Sequence, residues 1–253
     1  MNSPLLDEIK TKFPKDIDIS KYPFSLSIFR NLKSLKFNNQ VTFFVGENGT
    51  GKSTLLEAIA YNVGFGLEGG SKNISFKTSS ENTYSAIEEF SDYLMLSWRQ
   101  KPKDGYFFRA ESFYNVANYI DYLSSFDGNA YNAYGGKSLH HQSHGESFLS
   151  FFKNRVGRSG FFILDEPEAA LSPQRQLSLL ILIHELCKKS DTQFIIATHS
   201  PILLSYPKAT IYSFDNDRIE KIDYKETEHY KITKEFLNNP ELYIKNLFYN
   251  QSE

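Results

Sequence analysis

Eight residues constrain this chain more than any others: Gly46-Glu47-Asn48-Gly49-Thr50-Gly51-Lys52-Ser53. They fit G-x-x-x-x-G-K-[ST], in which glycines let the backbone wind until successive N–H groups face one point. Before them runs Val41-Thr42-Phe43-Phe44-Val45, β-branched or aromatic throughout, which reads as a strand buried on both faces. After them, Leu55, Leu56 and Ile59 fall at helical spacing. Strand, glycine turn and helix N-terminus together make an anion site. Lys52 is expected to reach the β- and γ-phosphates of a nucleotide, the Ser53 hydroxyl to ligate Mg²⁺, and Thr54 to follow as a further nucleotide contact. A glycine turn that binds nothing has no use for a Lys-Ser pair at a helix start.

A second run reinforces the first about 110 residues later. Phe161-Phe162-Ile163-Leu164 is a buried strand ending in Asp165-Glu166, and in a parallel sheet ligands bind at the strands' carboxyl ends. Asp165 is then expected to hold Mg²⁺ through water, and Glu166 to orient or deprotonate an attacking water. On its own the pair could be two solvated acids. Together with the phosphate loop it implies ATP hydrolysis, beyond binding alone. Pro173 to Lys189 reads as a helix with Leu177, Leu180, Ile181 and His184 on one face. Gln193 to Ala197 reads as a third buried strand, and 209–214 with 218–224 as a hairpin about Asp215-Asn216-Asp217. Two short helices split at Asn239-Pro240 end the pattern.

The remaining segments are less regular. Leu5, Leu6, Ile9 and Phe13 predict a short helix over 4–13, and alternation over 24–37 predicts an antiparallel pair. Residues 62–158 are rich in Gly, Ser, Asn and Tyr, with better stretches at Tyr93–Trp98 and Gly105–Tyr122. The expected division is a nucleotide-binding core of 1–61 and 159–253, interrupted by a smaller lobe over 62–158. The 22 Phe and 16 Tyr against one Trp imply a core of buried rings. A formal net charge of -2 excludes a global basic field. The single cysteine, Cys187, lies in an apolar helical pattern and reads as a buried thiol in a reducing compartment. No run approaches the ~20 apolar residues of a membrane helix. The expectation is a cytoplasmic protein without membrane insertion.

With these parts assembled, the chain resembles the ABC-type ATPases over roughly residues 24–247. The likeness is closer to the soluble branch of RecF, SMC and Rad50-like proteins, and closest to small bacterial AAA_21-type ATPases. The resemblance implies an α/β P-loop fold, a mixed sheet with flanking helices and an inserted lobe. Asp165 to Gln174 is similar to that branch's extended Walker B and D-loop, although Glu168 and Ser172-Pro173 depart from the transporter pattern and the usual D-loop Asp is absent. Ala197-Thr198-His199-Ser200-Pro201 is similar to the switch segment, which makes His199 the donor to a γ-phosphate; a histidine capping the next helix is the plainer alternative. Gln142-Ser143-His144-Gly145-Glu146 stands where the signature motif belongs. There Ser143 and Gly145 match, and the family uses them on the ATP of a second subunit. Gln100 is the candidate Mg²⁺-contacting glutamine, with a surface glutamine as the alternative. Arg109 could face phosphate or pair with an acid, and Phe29 or Arg30 could contact adenine or serve the core. His140, His141 and His144 lack the acids or cysteines that would complete a metal site.

The function implied is an ATPase that forms an ATP-dependent, head-to-tail homodimer and acts on DNA or an effector protein. An ATPase subunit of a membrane transporter and a nucleotide-gated scaffold with little turnover are the competing readings. Scattered cations (Arg30, Lys33, Lys36, Lys101, Lys103) are all that the composition offers DNA.

Overall fold

The computed structural model describes residues 3–72, 81–111, 118, 121–122, 124–126, 148–150, 152–153 and 160–249. Its strands are β1 (Leu6–Thr11), β2 (Ser34–Lys36), β3 (Val41–Val45), β4 (Leu94–Trp98), β5 (Gly105–Arg109), β6 (Phe161–Asp165), β7 (Gln193–Ala197), β8 (Thr210–Ser213) and β9 (Glu220–Ile222). The α-helices that matter here are α1 (Ser27–Asn31), α2 (Lys52–Val63), α3 (Glu81–Asp92), α4 (Pro173–Lys189), α5 (Pro201–Leu204), α6 (Glu228–Asn238) and α7 (Pro240–Tyr249).

Strands apolar on both faces belong in the middle of a parallel sheet, and every residue of β3, β6 and β7 is buried. They form the centre of a six-stranded sheet ordered β5-β6-β7-β3-β8-β9. All of its pairings are parallel except β8 with β9. Register puts the carboxyl ends in one row: Arg109 opposite Asp165, Asp165 opposite Ala197, Ala197 opposite Phe44, and Phe44 opposite Tyr212.

Alternate residues of these strands feed two cores. On one face Phe44, Phe161, Ile163 and Ile195 pack with Leu55, Leu56 and Ile59 of α2. The same core includes Leu6, Ile9 and Leu35 of a three-stranded antiparallel sheet, β2-β1-β4. On the other face Phe43, Phe162, Leu164, Phe194 and Ile196 pack with Leu179, Ile183 and Cys187 of α4. Burial pushes the Cys187 thiol up to about 12, so it behaves as a small apolar group. Gln193, fully buried, joins the two sheets: its Oε1 accepts from Leu6 N–H at 2.7 Å and its Nε2 donates to Leu6 O at 3.3 Å.

Three expectations are corrected. The segment 4–13 holds strand β1, not a helix. A register shift between Leu6 and Glu8 lets Leu6 and Ile9 both face inward, so a bulged strand imitates the i, i+3 spacing of a helix. The segment 24–37 is not a strand pair, because Ile28, Phe29 and Leu32 all turn inward from the short helix α1; β2 pairs instead with β1. In α4 the buried face is Gln176, Leu179, Ile183 and Cys187, while Leu177 and Ile181 are 46% and 62% exposed and His184 is also exposed. The middle of that helix, residues 177–183, is apolar at every position but Ser178, so periodicity there does not select a face. Within 62–158, β4 joins β1, and β5 joins β6 as an edge of the main sheet.

The β5–β6 pairing needs a residue without a side chain at its start. A Cβ at Gly105 would collide with the Phe161 carbonyl oxygen and lie 2.6 Å from Phe65 Cζ. Gly105→Ala is expected to destabilise the protein by about 1–3 kcal/mol, as overpacking does. Urea unfolding measures this, and an unchanged midpoint would mean that β5 is not seated as described.

Candidate nucleotide site

The phosphate loop leaves β3 through three glycines in positive φ: Gly46 at 142°, Gly49 at 82° and Gly51 at 99°. Gly51 is doubly required, since a Cβ there would also stand 2.8 Å from Phe29 Cζ. The helix α2 begins at Lys52, with its first N–H groups turned to the loop. Lys52 is 4% exposed. Its Nζ donates to Gly46 O at 2.7 Å and Glu47 O at 2.8 Å, contacts that phosphate oxygens can supplement or replace. Burial lowers its pKa, against the opposing pull of Glu166 and Asp165. The loop's first turn is clamped from β8: Glu47 N–H donates to Asp215 Oδ1 at 3.1 Å, and Ser213 Oγ donates to Asp215 Oδ2 at 2.7 Å.

The end of β6 meets the start of α2. Ser53 Oγ donates to Asp165 Oδ1 at 3.1 Å. From the neighbouring β5, Arg109 sets its Nε 3.6 Å from Asp165 Oδ2 and its Nη1 2.7 Å from Glu57 Oε1, and pairs with Glu111 as well. Burial drives the Asp165 carboxyl up to about 6, with Arg109 and Ser53 opposing. Burial likewise drives Glu57 up to about 7 despite Arg109, and Asp165 and Glu111 add to the rise. Glu166 follows in a left-handed conformation, φ 48°, its N–H donating to Ala197 O at 3.0 Å. A non-glycine residue held there costs of order 1 kcal/mol or more, and such strain collects at functional sites.

The end of β7 completes the edge. His199 Nε2 stands 3.4 Å from Glu166 Oε1, and its Nδ1 is 2.8 Å from His229 Nε2. The His199 backbone N–H donates to Glu168 Oε1 at 2.5 Å. Lysine, hydroxyl, two carboxylates and imidazole thus converge at the carboxyl ends of adjacent parallel strands, around a glycine loop and a helix N-terminus.

The sequence model of the AAA domain family AAA_23 matches residues 25–250. The chain belongs to that family. It carries that family's AAA domain, with the glycine-rich phosphate loop at its centre. Among solved structures it is similar to the SMC head domain of Thermotoga maritima, at 18% identity over 87% of this chain and 98% of that one, TM-score 0.45. It is similar also to cbiO1 of Clostridium perfringens, part of the ABC transporter complex cbiONQ, at 19% identity over 95% and 98%, TM-score 0.47. A third is the ADP conformation of MJ1267, an ATP-binding cassette of an ABC transporter, at 17% identity over 96% and 99%, TM-score 0.49. The assignment rests on the family match, not on these distant likenesses. No curated protein matches the sequence.

In this AAA-domain ATPase, Lys52, Ser53, Asp165, Glu166 and His199 come together as described. Gln100 does not join them. It is exposed just beyond β4, in the other sheet, where its N–H donates to Leu5 O at 3.4 Å. The pocket between Ser53 and Asp165 is instead lined by Arg109, Ala110 and Glu111 from the end of β5. Arg109 pairs with acids. Phe29 is fully buried and packs against Phe90, with ring centroids 4.6 Å apart and planes tilted by 46°, so it serves the core; Arg30 is exposed. The aromatic residue lining the loop's open side is Tyr22, together with Leu26, Asn48 and Gly49, and its hydroxyl is 2.7 Å from Thr54 Oγ1. Ser143 and Gly145, like His140, His141 and His144, lie outside the described residues.

The residues fit Mg²⁺. Two oxygens, Ser53 Oγ and Asp165 Oδ1, converge beside the phosphate loop, and ionising the buried Asp165 is costly unless a cation stands near. Among the described residues no cluster of three or more His, Cys, Asp or Glu could hold a metal by itself. Asp215, Glu168, Glu57, His229 and Tyr22 escape the sequence reading because each acts through a partner distant in the chain. No helix among the described residues is long and apolar enough to cross a membrane.

Arg109 is the only cation paired with both Glu57 and Asp165 among the described residues. Arg109→Met is expected to destabilise the protein by about 3–5 kcal/mol, the cost of stranding buried charge. A carboxyl whose pKa folding raises favours the fold while protonated, and that contribution is lost as pH rises through the folded value. The loss in Arg109→Met should therefore be larger above pH 7 than near the ordinary carboxylate range, because Glu57 titrates at about 7. Glu57→Gln in the same background should recover part of it. Thermal melts across this pH range provide the check, and a pH-independent loss would remove Glu57 from the account.

Proposed function

We propose that this protein hydrolyses ATP, that it does so as a head-to-tail dimer closed around ATP, and that it uses the difference between its ATP and ADP states to act on DNA or an effector protein. The observation that carries the reading is the convergence of Lys52, Ser53, Asp165, Glu166 and His199 at one sheet edge.

Each residue has a part set by its surroundings. The loop N–H groups and the helix start cradle phosphates, and the Lys52 ammonium, already turned inward to carbonyls, follows them. Ser53 and Asp165 would hold Mg²⁺, which neutralises charge on the β- and γ-phosphates. The Glu166 carboxylate is 44% exposed, open enough to meet a water and accept its proton. His199 Nε2 makes no hydrogen bond in the described structure and stands 3.4 Å from Glu166 Oε1, placed to donate to the terminal phosphate. Glu168 fixes the backbone from which that ring projects. Tyr22 and Leu26 offer the base an aromatic and apolar wall.

Dimerisation rests on the resemblance of Ser143 and Gly145 to a signature motif that completes the site of a second copy. Glu166→Gln should bind ATP while hydrolysis stalls. Its solution mass, read by light scattering, is expected to double with ATP-Mg²⁺, and Ser143→Arg should abolish the shift. A mass that stays monomeric although ATP binds would sink the dimer and favour a nucleotide-gated scaffold. Wild-type-like turnover in Glu166→Gln would sink the role of Glu166.

A further inference from the structure

His229 lies on the first turn of α6, 30 residues beyond His199, and the family motifs account for neither the residue nor its contact. Its Nε2 is 2.8 Å from His199 Nδ1, with ring centroids 4.9 Å apart and an interplanar angle of 53°. Both ends of the contact are anchored. Thr227, 1% exposed, caps α6 by accepting from Tyr230 N–H at 3.3 Å and donates to Tyr224 O at 2.7 Å. Tyr224 Oη donates to Pro201 O at 3.1 Å, tying the approach to α6 to the segment that carries His199. On the other side, Glu168 holds the His199 backbone.

Two neutral imidazoles at this distance share one proton between them, so the pair has two tautomers. In one, His199 Nδ1–H donates to His229, leaving a lone pair at His199 Nε2 directed at the Glu166 carboxylate 3.4 Å away. In the other, His229 Nε2–H donates to His199 Nδ1, and His199 keeps its proton on Nε2. The carboxylate repels the first arrangement and attracts the second. We propose that His229 is a positioning residue that holds His199 in the Nε2–H tautomer, the form able to donate to a terminal phosphate.

The surroundings agree. His229 is faced by His199, by Lys52 and Glu47 of the phosphate loop, and by Asp215 just beyond β8. Burial first, then His199 and Lys52, hold it below the usual imidazole range, while Glu47 and Asp215 pull the other way. A neutral His229 is therefore favoured at neutral pH, and the geometry with Glu166 fixes which of its nitrogens carries the proton. The helix α6 thereby reaches the switch histidine, so displacing it would turn or release that ring.

The inference rests on the reading of His199 as a phosphate donor, and two measurements separate their failures. Imidazole ¹⁵N shifts of the full chain report the tautomer of His199 without any turnover, with assignment from the signal lost in His199→Ala. The expected result is a protonated Nε2 and a bare Nδ1, giving way to a mixed population in His229→Ala and restored by His229→Gln, whose amide can still donate. Turnover in His229→Ala should fall about 10-fold, the scale set by partners that orient functional histidines. Most of that fall should be in kcat, with KM for ATP little changed, and it should vanish in a His199→Ala background. A protonated Nδ1 in the wild-type protein overturns the proposal even if the variants fail to fold. So does a His199 tautomer indifferent to His229→Ala. If His199→Ala leaves turnover intact while the tautomer still depends on His229, the phosphate-donor reading fails and the pair is a structural contact only.

Discussion

Parallel pairing in register is the constraint on which this site depends. Arg109, Asp165, Ala197 and Phe44 are opposite one another along a single row. The residues that follow each strand therefore leave the sheet at the same level. A slip of one residue in any pair would turn that strand's side chains to the opposite face. It would also carry Asp165 away from Ser53, or His199 away from Glu166. The apolar content of β3, β6 and β7 on both faces makes such a slip expensive, because each strand feeds two cores at once. The geometry of the site is a consequence of core packing several residues away.

At that edge the protein accepts electrostatic cost. Lys52, Asp165, Arg109 and Glu57 are largely withdrawn from water, and desolvation is the leading influence on all four. Their mutual attraction offsets part of that cost. A nucleotide with Mg²⁺ would bring the missing charge of each sign. Binding energy and stability would then be linked through the same few atoms, with Arg109 set against the acidic end and Lys52 against the loop carbonyls.

The chain beyond the strands supplies orientation. Asp215 clamps the phosphate loop from the end of β8, Glu168 holds the His199 backbone, and His229 meets its ring from α6. Each contact spans from 30 to 168 residues of sequence. Motif spacing carries no trace of them. Asp215 reads from sequence as an ordinary turn residue, and Glu168 as a departure from the transporter pattern.

The sequence by itself determined the phosphate loop, the acidic strand end, the histidine after the third buried strand and the three buried strands that carry them. Those features are local: glycines at a forced turn, a lysine at a helix start, and continuous apolar runs ended by charge. Only the tertiary structure decided that 4–13 is a bulged strand, that Phe29 belongs to the core, and that Gln100 stays away from Ser53 and Asp165 while Arg109 joins them. It also chose the face of α4, which the apolar run through the middle of that helix leaves open. The physical reason is common to all four. Periodicity records how often a side chain turns inward, but register, bulges and the partner across a core are set by segments far apart in the chain, and no local pattern encodes them.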